Sequence, residues 1–132
     1  MAADMQGWNI VHSGNIPVTL AADVTRGQVG KLTATNTADV CGAAEVPAGV
    51  FFITVDISEE GTRSQLMTKG EAVCKVGATA VTDLTIPLKP AALGVVIPAT
   101  TDLDSCIGFP LNTAAVGADV RVRLVPGHQY NA

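Results

Sequence analysis

The stretch VGADVRVRLVPG, Val116 to Gly127, decides the fold. Val120, Val122 and Leu124 alternate with Arg121 and Arg123. A period of two places the apolar side chains on one face of a strand and the arginines on the other. Gly117 supplies a turn just ahead of it. A related arrangement lies upstream in PAGVFFITVDI, Pro47 to Ile57, where a glycine turn again leads into an apolar run.

Working outward, short β-prone runs recur along the chain while helical periodicity is nearly absent. Strands are predicted at Val18–Ala21, Gln28–Ala34, Asp39–Ala44, Val50–Ile57, Ser64–Met67, Ala72–Val76, Leu84–Leu88, Gly94–Ile97, Cys106–Phe109 and Asp119–Val125. Runs of this length, spaced by about 8–12 residues, are the pattern of a sandwich or barrel. TRGQ, PAGV, EEGTR, TKGE, KVGAT and AVGAD separate them, each with a glycine that takes positive φ without steric cost. The fold class expected is all-β, a single-domain sandwich or barrel of short, mostly antiparallel strands with little helix. Residues 1–17 read as an N-terminal arm, 18–126 as the β domain and 127–132 as a C-terminal tail. The apolar run from Val50 to Val55 predicts a strand covered on both faces, or one with a face at a subunit interface. Pro87, Pro90 and Pro98 confine Leu84–Ser105 to edge strand or loop, with a short helical turn near Pro90–Leu93.

Composition narrows the function. The 132 residues suffice for one domain with its own core. Charged residues are only 15 % of the chain, against about 25 % in ordinary soluble domains. Two readings stand: a compact domain with a threonine-rich surface, or a chain whose faces are covered by partners, since interface cores are depleted of charge. The net charge of −4, the absence of a basic block and 4 % aromatics argue against nucleic acid. Arg121 and Arg123 are expected to meet carboxylates on a neighbouring strand rather than phosphate. No run of about 18 apolar residues is present, and MAADMQGWNI lacks the character of a signal peptide, so folding in cytoplasm without a membrane is expected.

Signals for catalysis are weak. His12 and His128 lie near the two ends, and the neighbouring Ser13 points away from His12 on extended chain. Asp102 and Asp104 have the spacing for a hard cation, but the glycine and distal glutamate of an EF-hand are missing, and a solvated loop is the favoured reading. Cys41, Cys74 and Cys106 are odd in number, widely spaced and set in apolar runs, which reads as buried packing rather than disulfide or zinc. No cofactor, metal site or catalytic residue is predicted.

The order VTRGQVGKLTATNTADVCGAAEVPAG, VFFITV, KGEAVCKVGATAV and CIGFPLNTAAVGADVRVRLVPG resembles the small capsid decoration, or cement, proteins of tailed bacteriophages. More narrowly, it is similar to the phage-like capsid proteins of unknown function. The matching positions are Gly27, Lys31, Leu32, Gly42, Gly49, Gly70, Ile107, Gly108, Gly117, Asp119, Val120, Val122, Arg123 and Leu124. They span Val24–Pro126, with departures in Met1–Asn15, FFITVDISEEGTR and Leu84–Ser105. The resemblance implies a non-enzymatic virion protein, made in the host cytoplasm and bound to the outer capsid surface. Its partners would be the major capsid protein and itself, as a homotrimer. On that reading Trp8, Ile10, Val11 and Ile16 contact the capsid, and Val50, Phe51, Phe52 and Ile53 form the trimer interface. The alternative is a small β-barrel adaptor or carbohydrate-binding module of a phage head or tail.

Overall fold

A computed structural model describes residues 15–53 and 55–131. Their elements run β1 (Asn15–Leu20), β2 (Val24–Thr25), β3 (Val29–Ala34), β4 (Thr37–Val40), β5 (Gly49–Phe52), β6 (Ile57–Ser58) and β7 (Arg63–Met67). They continue with β8 (Glu71–Lys75), β9 (Leu88–Pro90), a 3-10 turn (Ala92–Gly94), β10 (Val96–Pro98), β11 (Ser105–Pro110) and β12 (Asp119–Gln129). The protein is all-β. No helix among the described residues is long and apolar enough to cross a membrane.

Two curved sheets carry the fold. The first is a closed barrel in the order β1-β4-β3-β5-β7, with β7 returning to β1. All its pairings are antiparallel except β1 with β4. The second has the order β10-β9-β11-β12-β8. A single parallel bridge between Val76 and Val96 draws its two ends together. A third, two-stranded ladder joins β2 to β6.

Burial follows the alternation of each strand. In β12 Val120, Val122 and Leu124 are buried while Asp119, Arg121, Arg123 and Val125 are exposed. Val18, Leu20, Val24, Ala38, Phe51, Ile53 and Leu66 fill the barrel. A second cluster joins Val29, Cys41 and Val50 of the barrel side to Cys74, Val81, Leu88, Ile107 and Val122 of the second sheet. The barrel therefore has a core of its own, and the second sheet buries its apolar face in a cluster shared with the barrel side. Two glycines make the close approaches possible. A Cβ on Gly30 would meet the Phe51 ring and the Leu66 side chain at 2.7–2.8 Å. One on Gly108, in β11, would stand 2.0 Å from the Arg123 carbonyl oxygen of β12.

Several predicted boundaries shift. Leu84–Leu88 is mostly a turn, because the Asp83 carboxylate accepts from both the Thr85 amide and its hydroxyl and curls the chain. The strand predicted over Asp39–Ala44 stops at Val40; Ala44 has φ 62° and the Glu45 carboxylate accepts from the Gly42 amide at 2.6 Å. The apolar run after Gly49 breaks at Phe52, and Ile57–Ser58 pairs elsewhere. β1 starts at Asn15, so Ile16 and Pro17 belong to the barrel. β12 runs on to Gln129, paired with Ser105, and the Tyr130 amide donates to the Asp104 carbonyl at 3.0 Å. The helical turn near Pro90–Leu93 is the 3-10 turn at Ala92–Gly94.

Candidate interaction surface

Strand β5 sits between the two cores. Period two sends Val50 and Phe52 to one side and Phe51 to the other. Phe51 enters the barrel and Val50 the shared core. Phe52 continues the line of Val50 beyond the point where the second sheet covers it, and is left 48 % exposed. Opposite stands β8, the end strand of the second sheet. Ala72 and Cys74 face its core, which turns Val73 outward at 50 % exposure. Between these walls lies an open groove of about 490 Å³, lined also by Met67 and Ile53.

The rim is charged. Lys75 Nζ lies 3.2 Å from Asp119, Arg121 Nη1 lies 3.7 Å from Glu71, and Arg26 Nη2 lies 3.1 Å from Asp56. Exposed pairs of this kind contribute under about 1 kcal/mol each, so they shape the rim more than they hold the fold. Arg121 thus meets a carboxylate on a neighbouring strand. Arg123 instead lays its guanidinium 5.6 Å from the centroid of the Phe109 ring, which on its other contact meets His128 at 5.1 Å between centroids.

The backbone of β8 adds to the groove. The Val76 amide donates to Ala118 and the Gly70 carbonyl accepts from Leu124, so even-numbered residues face β12. Residues Glu71, Val73 and Lys75 turn their amides and carbonyls the other way, toward the groove. The Val73 carbonyl there abuts Gly27, whose φ is +85° and whose added Cβ would lie 2.7 Å from that oxygen.

Away from the groove, Asp104 is a loop staple. Its Oδ2 accepts from Lys89 Nζ at 3.0 Å and from the Thr100 and Thr101 amides at 3.1 and 2.9 Å. Partial burial works to raise its pKa, but these hydrogen bonds and the Lys89 charge outweigh it and hold the carboxyl below the usual value. Lys31 and Glu45 form a second staple beside the Gly42 turn; their mutual hydrogen bond raises the lysine and lowers the glutamate. Burial pushes the thiols of Cys41 and Cys106 up to about 11 and that of Cys74 to about 12. Among the described residues, no three His, Cys, Asp or Glu side chains gather as metal ligands would.

Of the residues singled out in the sequence, Trp8, Ile10, Val11 and His12 lie outside the described residues. Ile16 pairs with Leu66 in the barrel wall and is partly buried against its core. Val50, Phe51 and Ile53 are buried within the chain, and Phe52 alone of that set reaches the surface. Val73 was overlooked in the sequence, although the alternation of Ala72, Cys74 and Val76 already turns it outward.

No protein-family model matches the chain. No curated protein matches it either. The fold is similar to a solved structure, the head fiber gp8.5 N base in bacteriophage phi29. The two superpose with a TM-score of 0.62 at 10 % identity, over 88 % of this chain and 98 % of the other. At that identity the likeness establishes a shared fold, nearly complete in both chains.

Proposed function

We propose that this protein is a structural component of a phage head, attached to the outside of the capsid as a homotrimer and holding neighbouring major capsid subunits together. The observation that carries this reading is the fold shared with the head fiber base over almost its whole length. The low charge content and the exposed Phe52 and Val73 lining one groove add support, because apolar surface of that kind suits a protein partner. No catalytic step is assigned. Binding that favours assembled lattice over free subunits stabilises the shell by mass action. Three copies around an axis let modest contacts sum to high avidity.

A second reading is an adaptor that seats another component on the head. The shared fold with the N base of a head fiber favours it. Light scattering and shell binding separate the readings from one another and from failure of both. The capsid-clamp reading expects a concentration-independent mass near three times 13.5 kDa. It also expects added protein to raise the temperature at which purified shells dissociate. Binding without shell stabilisation favours the adaptor. No binding to shells refutes the placement on a phage head.

A further inference from the structure

We infer that the groove between β5 and β8 takes residues 55–60 of a second copy of this chain. The inference rests on the self-association proposed above and names the two surfaces that meet in it. The groove has apolar walls, with Phe52 and Val73 both exposed. The pairs on its rim, Lys75 with Asp119, Arg121 with Glu71 and Arg26 with Asp56, already satisfy each other and offer an occupant no net charge. One end of the groove is different. Met67 and Glu71, both in its lining, are joined by a turn that carries Lys69. Lys69 is exposed, and so is Arg123, which stands opposite Glu71 with its guanidinium over the Phe109 ring. Among the described residues neither cation has a carboxylate partner.

Residues 55–60 carry the complement. Val55 and Ile57 are exposed apolar side chains, and Glu59 and Glu60 are exposed carboxylates that form no ion pair among the described residues. Asp23, Asp56, Glu59 and Glu60 outnumber Arg26 and Arg63 at this end of the chain's surface. The segment is held in place. The Arg26 amide donates to the Asp56 carbonyl at 3.0 Å, the Glu60 amide to Asp23 Oδ1 at 2.8 Å and the Gly61 amide to the Leu20 carbonyl at 2.8 Å. It is therefore preorganised for a partner and does not fold into its own groove. Strand β7, of five residues, separates Glu60 from Lys69 by about 17 Å of extended chain. That exceeds the screening length of about 8 Å at physiological salt, so the opposite charges of one copy do not serve each other. A second copy brings them together, with apolar side chains between them. Ile57 turns its amide and carbonyl away from β2, as Glu71 turns its own toward the groove, so main-chain hydrogen bonds add to the contact.

Sedimentation of the full-length protein over a dilution series reads the contact. E59K/E60K on the segment and K69E beside the groove should each raise the concentration at which the oligomer dissociates by about tenfold or more, because each sets like charges against one another. The loss should be larger at about 50 mM salt than at about 500 mM. The three changes combined should restore most of the association, since they exchange the two signs. L103E, at an exposed position on a loop outside the groove, should change nothing. Urea unfolding curves confirm that every variant keeps its fold. An oligomer indifferent to both reversals, or one that the combined variant fails to restore, overturns the inference and leaves the homotrimer reading standing. A wild-type protein that is monomeric at every concentration overturns both. A dimer that the reversals break and the combination rescues supports the contact and overturns the ring of three.

Discussion

Replacing Gly108 with alanine tests the register at the centre of the second sheet. Gly108 lies in β11 opposite Leu124 of β12, next to the Phe109–Arg123 pair, and also meets Leu88 of β9. An added Cβ would stand 2.0 Å from the Arg123 carbonyl oxygen and 2.9 Å from its carbon. Comfortable non-bonded separations begin near 3.5 Å, so the strands must part by more than about 1 Å. β12 is held on its far side by five paired positions with β8, so β11 must move. That displacement takes two ladder bonds from about 2.9 Å out of hydrogen-bonding reach. Each contributes about 1 kcal/mol, and strain in the surrounding core adds about 1–3 kcal/mol. The expected loss is about 3–5 kcal/mol, read as a fall of about 2 M in the urea midpoint for a slope near 2 kcal/mol/M. Gly117→Ala is the comparison. Its φ is +79° but nothing lies within 4 Å of the added carbon, so only the backbone cost of about 1–2 kcal/mol applies. Equal losses in the two variants, or a Gly108→Ala loss below about 1 kcal/mol, would refute the close approach of β11 to β12.

Asp104→Asn should lower stability near pH 7 by about 1.5–3 kcal/mol, the range for hydrogen bonds to a charged group. Because the folded carboxyl lies below its usual 3.8, its contribution is present above that value and lost as the pH falls through the folded pKa, so the gap between variant and wild type should narrow towards pH 2. Urea titrations at both ends of that range check it, and a constant gap sinks the assignment. The three thiols, each buried and raised to about 11 or above, should resist a disulfide exchange reagent in the native protein and react together once urea unfolds it. A thiol that reacts at once in native buffer would refute its burial.

What the sequence makes legible is local. The alternation through Val120, Val122 and Leu124 specifies both the strand and its buried face. Gly27, Gly61, Gly70 and Gly117, each expected in a turn, all have positive φ, whereas Gly49 and Gly77, expected alike, do not: an added Cβ would meet the Met67 carbonyl oxygen at 2.5 Å and the Val95 side chain at 2.8 Å, so close packing rather than a turn accounts for them. Asp83 and Ala44 mark where local reading fails. A carboxylate that bonds its own chain two residues on defeats β-propensity in Leu84–Leu88, and an alanine in the left-handed region has no compositional signature. The C-terminal residues show the opposite error. Gly127, His128 and Gln129 lack an apolar face, yet β11 and the Leu103–Asp104 loop hold them in a ladder that only the tertiary fold supplies. The groove is legible by half: Val50–Phe52 was visible as a strand with two destinations, but its facing wall comes from β8, a strand contributed by the other sheet.

The low charge content, which first suggested covered surfaces, divides into two parts once the structure is known. Part of it is internal, because a core shared by two sheets gives β5 and the Cys41 turn buried positions that a single open sheet would leave wet. The rest is on the outside, where Leu32, Val46, Leu93, Leu103 and Val116 are exposed at separate positions along the chain. Scattered apolar side chains are ordinary on any protein surface and argue for nothing. Phe52 and Val73 differ from these. They come from different sheets, line the same groove, and stand beside outward-turned backbone of an end strand. Sheet ends left open in water invite pairing, and proteins usually blunt them with charge or cover them. The ion pairs of Lys75 with Asp119 and Arg121 with Glu71 frame this end without closing it. Exposed apolar side chains and outward-turned backbone therefore meet at one place, and that place, rather than composition averaged over the chain, is what supports the proposed partner.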